Sequence, residues 1–283
     1  MQKKQIILIG SAILLIGLLF LLGNRKGDES KSKSAGEGNV PMAQGGMDNH
    51  ETEVLDFDKY MLDSEAALST DVSAQLKKLK ALAEANNSAI QNKDLAEFWE
   101  KHENLNMAAH FYKKAAFLEN TEKSVTFAGN LFVALMQKSE DASIRRWQAK
   151  EAITCFNKAL ELNPENVETK IALATCYTEG TGETMKGVTL LREITQKDSN
   201  NISANIILGK LAIQSGQLDK AIKRLELVLT IKPDNTEAMY FLAEAYKSQG
   251  NKEKAISLFE KCKKLVNNPD FTKEIDNYIN SFK

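Results

Sequence analysis

The stretch Leu208–Asn267, LGKLAIQSGQLDKAIKRLELVLTIKPDNTEAMYFLAEAYKSQGNKEKAISLFEKCKKLVN, holds one pattern written twice. Leu208-Gly209 with Ala212 and Gly216 returns 34 residues later as Leu242-Ala243 with Tyr246 and Gly250. Ala221, Leu225, Val228 and Pro233 return at the same offset as Ala255, Phe259, Cys262 and Asn267. A period of this length marks a helix-turn-helix unit repeated along the chain. The second-helix template also fits upstream, as Ala152-x3-Phe156-x2-Ala159-x4-Pro164 and Ala108-x3-Tyr112-x2-Ala115-x4-Asn120. Gly187-x3-Leu191-x2-Ile194-x4-Ser199 repeats it with weaker residues. Leu173-Ala174 with Tyr177, and Leu95-Ala96 with Trp99, supply matching first helices.

These residues resemble the tetratricopeptide-repeat (TPR) family, whose units alternate large and small side chains. Small residues such as Gly209, Ala221, Ala243 and Ala255 let two antiparallel helices approach closely. Large ones such as Leu208, Tyr246, Phe156 and Phe259 fill the gaps between units. Pro164 and Pro233 stop their helices, because proline lacks an N–H and crowds the preceding turn. Asn235 or Thr236 can then cap the next helix. One unit cannot bury its own apolar face, so stacking supplies the core. The fold class expected is all-α, a superhelix of about five TPR units over 89–268. The unit Val167–Asn200 needs one inserted residue. The second unit holds about ten extra residues near Ser139–Trp147. They form either a surface loop offering Arg145, Arg146 and Trp147, or a longer helix with Trp147 turned inward.

Outside the repeats, Ile6–Leu22 is almost wholly apolar, and no charge falls between Gln5 and Asn24. Such a run is long enough, at about 1.5 Å per helical residue, to span a hydrocarbon core. It ends Phe20-Leu21-Leu22-Gly23, without the small residues that signal-peptide cleavage needs. Residues 5–24 therefore read as a single-pass anchor in the lipid bilayer, after a basic tail at 1–4. Basic residues flank both ends, so charge alone sets no orientation. A very short basic tail usually stays in the cytoplasm, which would put the repeats on the periplasmic or extracytoplasmic side of an inner (plasma) membrane. Residues 25–53 are rich in glycine, serine and charge, and read as a flexible tether containing His50. Within 54–88, Phe57, Tyr60, Met61, Ala67 and Leu68 suggest one amphipathic helix, and Leu76, Leu79, Leu82 and Ala83 a second. These helices cap the repeats or mediate self-association. Phe271, Ile275, Tyr278, Ile279 and Phe282, within 269–283, suggest a last helix covering the open end.

Composition narrows the function classes. Charged residues are 27% of the chain, aromatics 7%, and the formal net charge is −1 with both signs interleaved. No basic stripe marks a nucleic-acid binder. Cys155, Cys176 and Cys262 lie at wide spacings without a CxxC or a paired Cys/His pattern, so they read as small buried helix residues. A Cys155–Cys176 bridge stays open at this stage. His102 and His110 have no third ligand at metal spacing. Gly180-Thr181-Gly182 lacks the lysine–hydroxyl pair of a phosphate loop and follows a helix, so it reads as a turn. No nucleophile, base and charge-stabilising group converge, so no enzyme, cofactor or metal is expected.

The TPR resemblance implies a concave face lined by the first helix of each unit. Its inner positions are expected to be Ile171, Thr175 and Thr178, then Ile206, Lys210 and Ile213, then Tyr240, Glu244 and Lys247. This mixed surface suits an extended or helical peptide. The carboxylate clamp of some TPR domains is broken here: Lys93 stands in place, but Glu97, Ala128, Glu168 and Ala172 fill the other positions. The asparagine ladder of sugar-transferase TPRs is missing too, with Ala172, Ile207 and Phe241 instead. The layout suggests an anchored scaffold or chaperone for proteins or peptides in envelope assembly, secretion or maturation. The alternatives are a cytosol-facing receptor for precursor proteins and a non-catalytic subunit of an envelope enzyme complex.

Overall fold

The computed structural model describes residues 54–282; the expected anchor, the tether and His50 lie outside them. Among the described residues there are thirteen α-helices and no strand. None of these helices is long and apolar enough to cross a membrane. Two helices lead, α1 (Phe57–Ala66) and α2 (Thr70–Asn86). Five antiparallel pairs follow: α3 (Ala89–Lys101) with α4 (Leu105–Glu119), then α5 (Glu122–Lys138) with α6 (Ala142–Leu162). Next come α7 (Val167–Thr175) with α8 (Thr184–Lys197), and α9 (Ile202–Gln214) with α10 (Leu218–Ile231). The fifth pair is α11 (Thr236–Ser248) with α12 (Lys252–Val266), and α13 (Pro269–Asn280) closes the chain.

Asparagine opens six of these helices. Asn104, Asn166, Asn201, Asn235, Asn251 and Asn268 each accept a hydrogen bond from an N–H in the first turn. Those N–H groups have no partner inside the helix, so each cap is worth about 1 kcal/mol. Inside a pair the turn needs a left-handed residue. Gly182, Gly216 and Gly250 supply it in units 3 to 5, with φ of +75°, +71° and +87°. In unit 1 the same position is Glu103, with φ +58°.

Unit 2 has Met136 where its neighbours turn, and α5 runs on to Lys138 before α6 starts at Ala142. The ten extra residues therefore lengthen both helices instead of forming a loop, and Trp147 is buried against Phe132. The single extra residue of unit 3 is absorbed differently. Cys176–Thr181 form one π-helical turn at the end of α7, not a plain turn around Gly180. A π turn holds one more residue than an α turn in the same rise.

The alternation of large and small residues builds the core as expected. A Cβ on Gly209 would lie 2.9 Å from Leu225 Cγ, and one on Gly129 would lie 2.6 Å from Phe156 Cε1. The two close approaches are equivalent, and they fix the register of unit 2. Phe156, Phe259, Leu225 and Leu191 are fully buried between pairs. Phe271, Ile275, Tyr278 and Ile279 seat α13 on the last pair. At the other end Leu76, Leu79 and Ala83 of α2 pack against Leu95, Trp99 and Phe111, whereas Leu82 faces solvent. All three cysteines are buried and none is in a disulfide.

Candidate functional site

Which face is the inner one follows from helix proximity. The first helices of units 3, 4 and 5 touch directly, α7 with α9 and α9 with α11. The second helices α8, α10 and α12 make no comparable contact with one another. Pairs that converge on one side and splay on the other stack into a curved array, concave on the first-helix side.

The nine expected inner residues divide into three sets. Ile206 is 4% exposed and Tyr240 is 8% exposed; both belong to the core. Tyr240 meets Phe259 edge to face at 5.5 Å, so its ring points back between the pairs. The repeat template gives a direction for this position but not how closely the next unit shuts over it.

Thr178 is the second correction. Its methyl sits where a Cβ on Gly187 of α8 would fall, 2.5 Å away, so it faces its own partner helix. The π turn advances the register by one residue, and the inner position passes to Glu179. Glu179 accepts a hydrogen bond from Lys210 at 2.6 Å, across 31 residues of chain. Lys247 contacts Tyr278 across the same 31 residues, which identifies the two positions as equivalent. Thr175 remains half-buried, its hydroxyl donating to the Ile171 carbonyl at 3.1 Å, and the Ile171 side chain is half-buried against Ala174, Leu191 and Ile194.

The third set is occupied from within. Lys210, besides Glu179, lies 6.0 Å from the centre of the Phe241 ring. Tyr278 of α13 donates to Glu244 at 2.8 Å, and Lys247 stands 4.0 Å over the Tyr278 ring. Burial pushes the Glu244 carboxyl above the ordinary range; the Tyr278 bond and Lys247 oppose that. The last helix thus covers the C-terminal third of the expected groove. Ile213 stays half-buried against the core.

The N-terminal half of the inner face is open. Repeat register puts Ile90 and Lys93 of α3, and Phe127 and Asn130 of α5, on this side. Phe127 is 53% exposed and Ile90 is 68% exposed. The Phe127 ring is propped edge to face on Tyr112, whose hydroxyl donates to Glu100 at 2.9 Å. Lys93 pairs with Glu119 at 2.5 Å. An aromatic and an aliphatic side chain exposed beside anchored charges make a surface for a peptide with apolar anchors. Sequence reasoning missed both residues because it followed the strongest repeats, which are the C-terminal ones.

Among the described residues no three His, Cys, Asp or Glu side chains converge to hold a metal. Burial pushes the Cys155 and Cys176 thiols up to about 12 and Cys262 to about 11, far from nucleophilic thiolates.

The geometry defines a solenoid of antiparallel helix pairs with a concave face on the first-helix side. Family models described as tetratricopeptide repeat match residues 212–270 and 148–166. No curated protein matches the chain in sequence. Solved structures similar to it include YrrB, described as a TPR protein with an unusual peptide-binding site. It is 23% identical, with 70% of this chain and 97% of that one covered and a TM-score of 0.44. MamA is similar at 18% identity, 63% and 92% coverage and a TM-score of 0.47. A MamA fragment from Desulfovibrio magneticus RS-1 is 16% identical, with 64% and 97% covered and a TM-score of 0.49.

Proposed function

We propose that the chain is a non-catalytic scaffold or chaperone that binds an apolar-anchored segment of another protein on the inner face of units 1 to 3. The observation carrying this reading is the exposed pair Ile90 and Phe127 on the open part of that face, where Glu179, Glu244 and Lys247 further along are already engaged. Ile171 and Thr175 extend the surface into unit 3. The apolar run at 5–24 supports anchoring in an inner membrane, and the short basic tail before it supports repeats outside the cytoplasm. A role in envelope assembly, secretion or protein maturation fits that arrangement.

The test is to crosslink the tagged full-length chain in its native cells and compare it with the Ile90→Glu, Phe127→Glu double variant. Envelope or secretory proteins recovered with the wild type and lost from the variant support the reading. Recovery of cytosolic precursor proteins instead would favour a receptor whose repeats face the cytosol. Equal recovery by both forms would remove the inner face from the account.

A further inference from the structure

We infer that α1 is a displaceable strap, and that the seat beneath it is a second protein-binding site, for a short acidic helix carrying an aromatic residue and a tyrosine three positions later. This goes beyond the inner-face reading: the seat is built from α4 and α6, which are second helices. Every other helix of the described residues runs close beside a neighbour over several residues, and α1 does not. No residue of α1 is fully buried. It is held by a few long side chains.

Those side chains meet prepared partners. The Phe57 ring stacks on Trp147, with centroids 4.4 Å apart and planes 7° from parallel, and lies 4.6 Å from His110. The Tyr60 hydroxyl donates to Asn104 Oδ1 at 3.0 Å and accepts from Asn106 Nδ2 at 3.4 Å. Asn104 Nδ2 donates to Ser64 Oγ at 3.0 Å, and Gln148 Nε2 donates to Asn106 Oδ1 at 2.8 Å. The seat keeps unspent capacity as well. Gln148 is 2% exposed, and its Oε1, like Nε2 of His110, has no hydrogen-bond partner. Leaving a buried polar atom unpaired is costly, so a ligand that reached either would bind more tightly than α1 does.

Charge points to the same ligand class. Residues 54–66 carry Asp56, Asp58 and Asp63 against Lys59 alone, besides Glu65, which pairs with Lys80 of α2 at 2.8 Å. The receiving helices present Lys114 near His110, and Arg145 and Arg146 directly before Trp147, while Lys113 is paired with Glu151 of α6. The strap is joined to α2 by only Ala67, Leu68 and Ser69, so it can swing without disturbing the repeats.

The probe is a fluorescent peptide of residues 54–66, added to the full-length wild type and to the full-length Phe57→Ala, Tyr60→Ala variant. With its own strap loosened, the variant should bind the peptide about tenfold or more tightly than the wild type, whose tethered strap competes at high effective concentration. Hydrogen exchange on the unmodified chain provides the second reading. The amides of α1 should exchange at least about a hundredfold faster than those of α9 to α11, the mark of a locally opening segment. Equal peptide binding by both proteins, binding by neither, loss of the variant's helical fold, or α1 amides as protected as α9 would each overturn the proposal.

Discussion

Replacing Gly129 by alanine tests the close helix approach on which the register of unit 2 rests. The added Cβ would lie 2.6, 2.9 and 3.0 Å from Cε1, Cζ and Cδ1 of Phe156. Phe156 is fully buried in the cluster that includes Phe132 and Trp147, so its ring has no free direction in which to move. Relieving the overlap needs a shift approaching 1 Å in a close-packed core, and overpacking of that kind costs about 1–3 kcal/mol. Alanine recovers about 1 kcal/mol of helix propensity. The net expectation is a loss of roughly 1–2 kcal/mol, read by urea denaturation followed by far-ultraviolet circular dichroism. The Phe156→Ala background removes the ring, and there Gly129→Ala should be neutral or stabilising. A coupling of about 1 kcal/mol or more between the two changes is therefore expected. If Gly129→Ala stabilises the wild type by the full propensity gain, the pairing of α5 with α6 is wrong.

Three further outcomes follow from particular residues. Glu103 has a left-handed backbone at a position held by glycine in units 3 to 5, so Glu103→Gly should stabilise the chain by about 0.5–1 kcal/mol in the same urea assay. Burial, with Lys114 and Lys113 nearby, lowers the His110 pKa to about 3, so the unfolded chain takes up a proton below pH 6.5 that the folded chain refuses. Stability should therefore fall as pH drops from 6.5 toward 3, by about 2 kcal/mol between pH 7 and pH 5, and His110→Leu should remove that share of the dependence. Cys155, Cys176 and Cys262 are buried with raised pKa values, so a thiol reagent at neutral pH should leave the native chain unmodified and label all three in denaturant.

Much of this architecture was legible because helix pairing writes itself into sequence at fixed spacing. Gly209 with Leu225 and Ala243 with Phe259 are the same contact 34 residues apart, and the one inserted residue of unit 3 was visible too, although it was read as a plain turn and not as the π turn it forms. The consequence of that residue was not legible. A turn that swallows one position rotates everything after it, which moved the inner face from Thr178 to Glu179. Ile206 and Tyr240 were misplaced for a related reason. A repeat template fixes the angle of a side chain about its helix, but burial also depends on how tightly the neighbouring pair closes. The seat of α1 left no signal at all, since Phe57 and Trp147 are ninety residues apart and belong to no shared period.

The central claim is that the open inner face at Ile90 and Phe127 is where another protein binds. Placing a photocrosslinking phenylalanine at position 127 of the full-length chain, in its native cells, tests this directly. A matched probe replaces Met185, an exposed residue of the second helix α8. Discrete adducts are expected from position 127, lost when Ile90→Glu is added and not formed from position 185. Adducts from position 185 alone, or the same adducts from both positions, would contradict it.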